Sequence, residues 1–490
     1  MGDRSVTRNC GPDLARVGAG LPVAAYRDEI TTALHGGRAV IVAPPGTGKT
    51  TFVPPLVASR CSGRVIVTQP RRVAARAAAR RLAALTGTRP GEFASHTVHG
   101  ESTTTRDTKV EFVTTGVLLR RLLSDPDLTG VDAVVLDEVH ERHLDADLVV
   151  AMVCEVAQLR DDLTIVAMSA TVDSSGWAAF LGGVEPAPVV EVASALHELE
   201  VEWAPAAGAA VESRGVSREF LGHLGTVTVD ALDRHTEGSA LVFVPGAREV
   251  DHVVADLRSR LAGIDVVGLS GAMSAREQDH ALSDPGNVRR VIVSTAVAES
   301  SLTVPGVRLV VDSGLSREPR LDRGRGMAGL VTVRESRASA VQRAGRAARL
   351  GPGVAVRCLR AQDWAGMNAD PTPEVDHADL VASLLSLAVW GSPRGEGMAL
   401  PTPLPQDRVA AAEEELRDLG AVDAEGRITV RGRHLATFPL DPRLARALTD
   451  GAAIVGSMLT WYAFALAQQT RHALPGRFDS TVWFYCAAAC

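Results

Sequence analysis

Ala43-Pro-Pro-Gly-Thr-Gly-Lys-Thr50 carries the residue types that hold a polyphosphate. Glycines let successive backbone N–H groups turn inward around an anion, and a helix N-terminus adds partial positive charge. In such a loop Pro45, Gly46, Thr47, Gly48 and Thr51 form the cradle, and Lys49 meets the β- and γ-phosphates. Thr50 places its hydroxyl on Mg²⁺. Ala43 stands where the usual pattern begins with glycine. The second reactive stretch is Val134-Val-Leu-Asp-Glu-Val-His-Glu-Arg142, an apolar strand ending in two acids. Strand ends are where α/β sheets present groups to a nucleotide. Asp137 is expected to hold Mg²⁺, directly or through its water shell, and Glu138 to orient and deprotonate the attacking water. His140, Glu141 and His143 lack His-Glu-x-x-His spacing, so no zinc site is expected there.

The elements around these residues read as α/β. Arg38–Val42 is a buried strand feeding the loop, and a helix is expected from Thr51 until Pro54 and Pro55 interrupt it. Further strands are expected at Arg64–Thr68, Lys109–Thr114, Val131–Leu136 and Leu163–Met168, with a helix at Val73–Leu85. Alternating strands and helices argue a parallel sheet. A second α/β unit follows, with strands at Ser239–Val244, Asp265–Leu269, Arg290–Ser294, Leu309–Asp312 and Val354–Leu359. It has no phosphate loop of its own, which places a single nucleotide in a cleft between two similar units. Pro371 and Pro373 mark a linker. Beyond it, short helices and a strand at Arg427–Val430 have the order of a small winged-helix unit. The expected division is a lead-in 1–20, α/β units 21–190 and 191–370, a winged-helix-like unit 371–448 and an atypical tail 449–490.

Net charge is −7, so the molecule is not a basic nucleic-acid coat, and a nucleic-acid surface must be a local strip of arginines. Lysine occurs only at 49 and 109. Six cysteines without a Cys-x-x-Cys pair argue against a disulfide framework or zinc site and fit a reducing cytoplasm. The first twenty residues lack a signal-peptide core. Gly451–Thr470 is free of charge but contains Ser, Thr and Gln, and a buried helix or apolar tail is expected there rather than a membrane span. Seven of the 19 aromatic residues lie between Ser457 and Tyr485, unlike the rest of the chain.

Asp137-Glu-Val-His140 resembles the DEAH/DExH box of superfamily 2 helicases, and further motifs follow in the family's order. Thr68-Gln-Pro-Arg-Arg72 resembles motif Ia, Thr114-Thr-Gly-Val-Leu-Leu-Arg120 motif Ib, and Ser169-Ala-Thr171 motif III. Leu241-Val-Phe-Val-Pro-Gly246 resembles motif IV, Ser294 to Thr303 motif V, and Gln342-Arg-Ala-Gly-Arg-Ala-Ala-Arg349 motif VI. The Leu21-Pro-Val opening and Phe438-Pro-Leu-Asp-Pro442 look most similar to the bacterial HrpB type. The likeness spans about residues 21–448.

The resemblance implies two tandem RecA-like domains with parallel sheets, followed by a winged-helix domain. It implies ATP and Mg²⁺ as cofactors, and translocation 3′ to 5′ on single-stranded nucleic acid, RNA favoured over DNA. Arg346 and Arg349 become arginine fingers, Gln342 helps hold the attacking water, and Arg343 is structural or tied to motif V. His140, Ser169 and Thr171 are expected to couple hydrolysis to movement. Arg81 is expected against the nucleobase, but Leu315 replaces the aromatic that would complete the sandwich, so base selectivity should be weak. Arg71, Arg72, Thr115, Arg120, Thr295 and Thr303 are the expected nucleic-acid contacts, made to the backbone rather than to bases. Arg320–Met327, ahead of a strand at Gly329–Val333, looks like the hairpin that the family inserts. A cytoplasmic monomer, with a ribonucleoprotein as further partner, completes the expectation. The likeness stops near Leu448, short of the ratchet-like region of such relatives, so a nucleic-acid-stimulated ATPase clamp without unwinding is the alternative.

Overall fold

Val-, Ile- and Ala-rich runs with almost no polar interruption form strands buried on both faces, the condition for a parallel sheet covered by helices. The computed structural model describes residues 12–451, apart from 171–173, 194–196, 214, 287, 300, 301, 303 and 323–326. The lead-in before residue 12 and the tail beyond 451, including nearly all of Gly451–Thr470, lie outside the described residues. So do Thr171 and Thr303.

The first sheet contains β1 (Arg38–Val42), β2 (Arg64–Gln69), β3 (Ala94–Val98), β4 (Glu101–Ser102), β5 (Val110–Thr114), β6 (Val131–Leu136), β7 (Thr164–Ser169) and β8 (Val189–Glu191). Their order is β4-β3-β5-β2-β6-β7-β1-β8, all parallel except β4 against β3. β1 and β6 are separated only by β7, so the phosphate loop and the paired acids leave the same sheet edge close together. β3 was not legible as a strand because Ser95, His96 and Thr97 break the apolar pattern. Thr97 donates to Glu111 of β5 at 2.7 Å, which makes a buried polar strand tolerable.

The helix after the loop spans Lys49–Ala58 and runs through Pro54 and Pro55 instead of stopping. Two intrahelical N–H donors are lost, but proline's fixed φ suits a helix, and every side chain from Phe52 to Ala58 is buried. Apolar packing outweighs the missing bonds.

The second sheet draws on β9 (Leu199–Trp203), then, beyond a small β10–β11 pair (Val211–Glu212, Gly215–Val216), on β12 (Ser239–Phe243), β13 (Asp265–Leu269), β14 (Arg290–Ser294) and β15 (Val307–Asp312). A hairpin of β16 (Leu315–Asp322) and β17 (Met327–Arg334) precedes the last strand, β18 (Gly353–Arg357). The order is β13-β14-β12-β15-β18-β9, parallel throughout. The hairpin is longer than the sequence suggested, with two eight-residue strands in place of one short one.

By chain contacts, residues 1–379 with 398–403 form one unit, and 380–397 with the residues from 404 on form another. Both sheets belong to the first. The second is a winged-helix domain with helices at Val381–Trp390, Gln406–Asp418 and Val430–Thr437. Arg427–Val430, expected as a strand, makes only a bridge between Val422 and Ile428. Thr429 instead caps the next helix, its hydroxyl accepting the Gly432 N–H at 2.9 Å, so Val430 is already helical. Among the described residues no helix is long and apolar enough to cross a membrane, and no cluster of His, Cys, Asp or Glu could hold a metal.

Candidate active site

Gly46 and Gly48 have φ of +93° and +88°, which lets the loop between β1 and its helix turn its amides inward. A side chain on Gly48 would strike Leu21 at 2.8 Å, so the Leu-Pro-Val opening packs over the loop. Thr47 is buried, its hydroxyl donating to the Pro44 carbonyl at 2.8 Å. Pro45 and Thr51 are half-buried beside it.

Lys49 Nζ lies 3.2 Å from Glu138 Oε2, both buried, and Thr50 donates its hydroxyl to Asp137 Oδ2 at 2.6 Å. Gln69 of β2 adds a bond to the same Asp137 oxygen at 2.7 Å, and Thr68 accepts the Asp137 N–H. Burial and the adjacent Glu138 charge push Asp137 up to about 7. Burial acts the same way on Glu138, but Lys49 and His140 outweigh it and hold that carboxyl below its usual range. Glu138 and Arg142 both adopt left-handed backbone, with φ of +56° and +54°, at the two ends of the turn Val139–Glu141. Non-glycine residues hold that conformation only where their surroundings impose it. His140 Nδ1 accepts the Ala170 N–H at 3.2 Å, which leaves the proton on Nε2, 3.6 Å from Glu138. The box is thereby linked to the Ser169–Ala170 end of β7, where Ser169 is buried.

The second sheet contributes cations. The helix Arg337–Ala344 and the turn after it carry Gln342, Arg343, Arg346 and Arg349. Arg343 is buried among Glu299, Asp312 and Glu335 and stacks 5.0 Å over Phe243, so its role is structural and tied to motif V through Glu299. Arg346 instead donates to backbone carbonyls, Glu299 at 2.9 Å and also Leu302. Burial and the neighbouring Arg349 lower its pKa well below normal. Arg349 lies alongside the phosphate loop, where a side chain on Gly46 would meet its methylenes at 3.4 Å. Burial lowers it to about 10, and its Nε has no hydrogen-bond partner among the described residues. Gln342 Nε2 likewise has no partner among the described residues, and Gln342 lines a cavity of about 820 Å³ together with His140, Glu141 and Glu299. Ala348, beside Arg349, is fully buried.

The expected nucleic-acid residues separate into two kinds. Arg72 and Arg120 are exposed, and Thr115 and Thr295 are half-buried, the Thr295 N–H held by Leu269. Arg71 is engaged inside, donating to Glu141 Oε1 at 2.9 Å. A phosphate would have to compete with that carboxylate. Arg81 is exposed on its helix, whereas Leu315 is buried in the core of the second lobe. Glu141, Glu299, the Leu302 carbonyl, His143 and Glu374 were not singled out as site residues by sequence. Glu141 and Glu299 lie inside recognisable motifs, but Glu374 sits in what reads as a linker.

A phosphate loop and paired carboxylates in one RecA-like lobe, with arginines presented by a second, define the two-lobed class of P-loop nucleoside triphosphatases. The DEAD/DEAH box helicase family profile matches residues 26–177, the helicase conserved C-terminal domain 224–351, and the HA2 winged-helix domain 412–440. ATP-dependent RNA helicase HrpB of Escherichia coli (strain K12) is 37% identical over 437 residues, covering 88% of this chain and 52% of that protein. Probable ATP-dependent RNA helicase DHX34 of Homo sapiens is 33% identical over 458 residues, covering 91% and 39%. The crystal structure of the E. coli DEAH/RHA helicase HrpB superposes with a TM-score of 0.80 at 36% identity, covering 88% of this chain and 54% of that one. The chain belongs to the DEAH/DExH-box superfamily 2 helicases, and it spans about half the length of the HrpB chains it matches.

Proposed function

We propose that this chain hydrolyses ATP to move along and unwind single-strand-tailed RNA. The observation that carries this reading is Arg349 lying against Gly46, because it brings the second lobe's cation to the loop that would hold the γ-phosphate. Water attacks the γ-phosphorus, Glu138 accepts its proton, and the bond to ADP breaks as Lys49, Arg346 and Arg349 meet the developing charge. Gln342, unpaired and facing the box across the cavity, positions the water. The Thr50 hydroxyl and Asp137 carboxylate, 2.6 Å apart, suit a hard cation that takes its remaining ligands from water and phosphate. Bound there, Mg²⁺ would supply charge neutralisation across the phosphates.

RNA would cross both lobes, with Arg72, Thr115, Arg120 and Thr295 on its backbone. With Leu315 buried, no ring completes a sandwich with Arg81, and discrimination among nucleoside triphosphates should be weak. Cys61, Cys154 and Cys358 are free thiols with pKa raised by burial, in keeping with a cytoplasmic protein. We take the chain to act as a monomer.

The test is ATP turnover with poly-RNA, poly-DNA and no polymer, followed by displacement of a 3′-tailed duplex. Stimulation by RNA above DNA is expected, and it should disappear in Lys49→Ala and Glu138→Gln. Stimulated turnover that persists in Glu138→Gln removes that residue as the base. Turnover without displacement assigns the chain as a clamp instead.

A further inference from the structure

Both halves of the nucleotide site touch one short run of chain that contributes no residue to it. The N–H groups of Arg337 and Ala338, the first two residues of the helix carrying Gln342 and Arg343, donate to the carbonyls of Asn368 and Ala369 at 2.9 Å each. These are amides that a helix cannot satisfy by itself. Five residues after Ala369, Glu374 reaches the loop that follows the DEAH box. Its N–H donates to the Arg142 carbonyl at 3.2 Å, and its Oε2 accepts the Leu144 N–H at 2.8 Å. The same Oε2 faces His143 Nδ1 at 3.4 Å. His377, three residues further, faces Glu318 of the β16–β17 hairpin at 3.8 Å. The run then continues covalently into the unit that begins at Leu380.

His143 connects this run to the chemistry. Its other nitrogen lies 2.9 Å from Glu141 Oε2, and Glu141 Oε1 holds Arg71 of motif Ia. Both imidazole nitrogens therefore face carboxylates. Partial burial works against the charge, but the hydrogen bonds to Glu141 and Glu374 push this histidine up to about 10. The left-handed Arg142, one residue before it, is held in turn by Asp147 at 3.0 Å and by stacking 5.7 Å from the Trp177 ring. The loop that leaves the catalytic acid is thus fixed to Glu374 at three consecutive residues, Arg142, His143 and Leu144.

Resting on the helicase reading above, we propose that Asn368–His377 is a coupling strap, and that the His143–Glu374 pair is the positioning contact through which nucleic-acid engagement raises the rate of hydrolysis. The physical warrant is a single covalent element that contacts the base-bearing loop, the start of the arginine helix and the hairpin at once. Neither residue touches the nucleotide loop. Both act by positioning the loop that carries Glu138 relative to the arginine helix when nucleic acid is engaged.

The full chain is assayed for ATP turnover with and without poly(U), as wild type, His143→Ala, His143→Lys and Glu374→Gln. Glu374→Gln retains an oxygen for the Leu144 N–H and removes only the charge facing His143. Expected is an about tenfold loss of the stimulated kcat in His143→Ala and Glu374→Gln, the scale of an ordinary coupling free energy. Basal kcat and the KM for ATP should stay within about twofold, and His143→Lys, which keeps a cation there, should recover much of the stimulation. Stimulation unchanged in both variants overturns the proposal, and so does an equal loss of basal and stimulated turnover. A wild-type chain without ATP turnover, or without stimulation, refutes the helicase reading instead.

Discussion

The two lobes share a parallel sheet but hold their buried charge in opposite ways. In the first, an acid sits among cations: Glu111 of β5 accepts two bonds from Arg121, at 2.8 and 2.9 Å, and one from Arg64 at 3.1 Å. In the second, a cation sits among acids: Arg343 is shared by Glu299, Asp312 and Glu335. Arg349, six residues on, donates to the Leu302 carbonyl at 3.5 Å, and burial lowers its pKa. A buried guanidinium facing neutral oxygens stays short of negative charge, whereas one surrounded by carboxylates is already neutralised. On the proposed function, the difference separates an arginine set to meet an incoming phosphate from one that holds the fold.

The sharpest test of that division is Arg349→Ala. An arginine finger contributes about 10³–10⁵ in kcat, so stimulated ATP turnover should fall by roughly 10³. The thermal midpoint should hardly move, because no carboxylate is left unpaired. A large drop in thermal midpoint with turnover retained would reverse the roles assigned to Arg349 and Arg343.

Arg343→Met should do the opposite. Removing one partner of a buried ion cluster costs about 3–5 kcal/mol, because the remaining charges stay buried without compensation. Here three acids would remain, one of which, Glu335, is already pushed well above the usual carboxylate range by burial and by Asp312. Denaturant unfolding should show the loss in the second lobe, with ATP affinity of the surviving folded fraction little changed. Wild-type stability in that variant would mean that the cluster is not structural.

Sequence reading reached the frame and the ends of the strands. Central strands such as β1, β6 and β12 are nearly pure Val, Ile, Leu and Ala, and their buried character survives any local context. Lys49, Thr50, Asp137 and Glu138 were legible because a phosphate loop and paired acids constrain residue type at fixed spacing. β3 was not, since its polar residues are satisfied by groups outside the strand, Ser95 by Thr104, His96 by Glu101 and Thr97 by Glu111. Pro54 and Pro55 read as a stop because propensity is local, while the burial that overrides it is tertiary. Glu374 was invisible for the same reason: a glutamate just after Pro371 and Pro373 looks like a linker until Arg142, His143 and Leu144 are beside it. Arg343 and Arg349 were separated by their places in motif VI, and the placement of Glu299, Asp312 and Glu335 supplies the physical reason for Arg343.

The smallest expected effect is in pH, and it bears on the first lobe. Burial opposes the Glu111 charge, but Arg121, Thr97 and Arg64 outweigh it and lower its pKa from the usual value. A carboxyl lowered on folding contributes stability that is present above its unfolded pKa, about 4.3, and lost as pH falls through the folded value. Glu335 has the opposite shift, because burial and Asp312 outweigh its pairing with Arg343, so protonating it favours the second lobe. Acidification below about pH 4.3 should therefore loosen the first lobe before the second, seen as amide exchange rising along β5 ahead of β15. Glu111→Gln should lower stability at pH 7 by about 1–3 kcal/mol, the scale of hydrogen bonds to a charged group, and flatten the acid dependence of the first lobe. An unchanged acid slope in Glu111→Gln would show that the first lobe's charge cluster does not set its acid sensitivity, and the contrast between the lobes would then rest on the arginines alone.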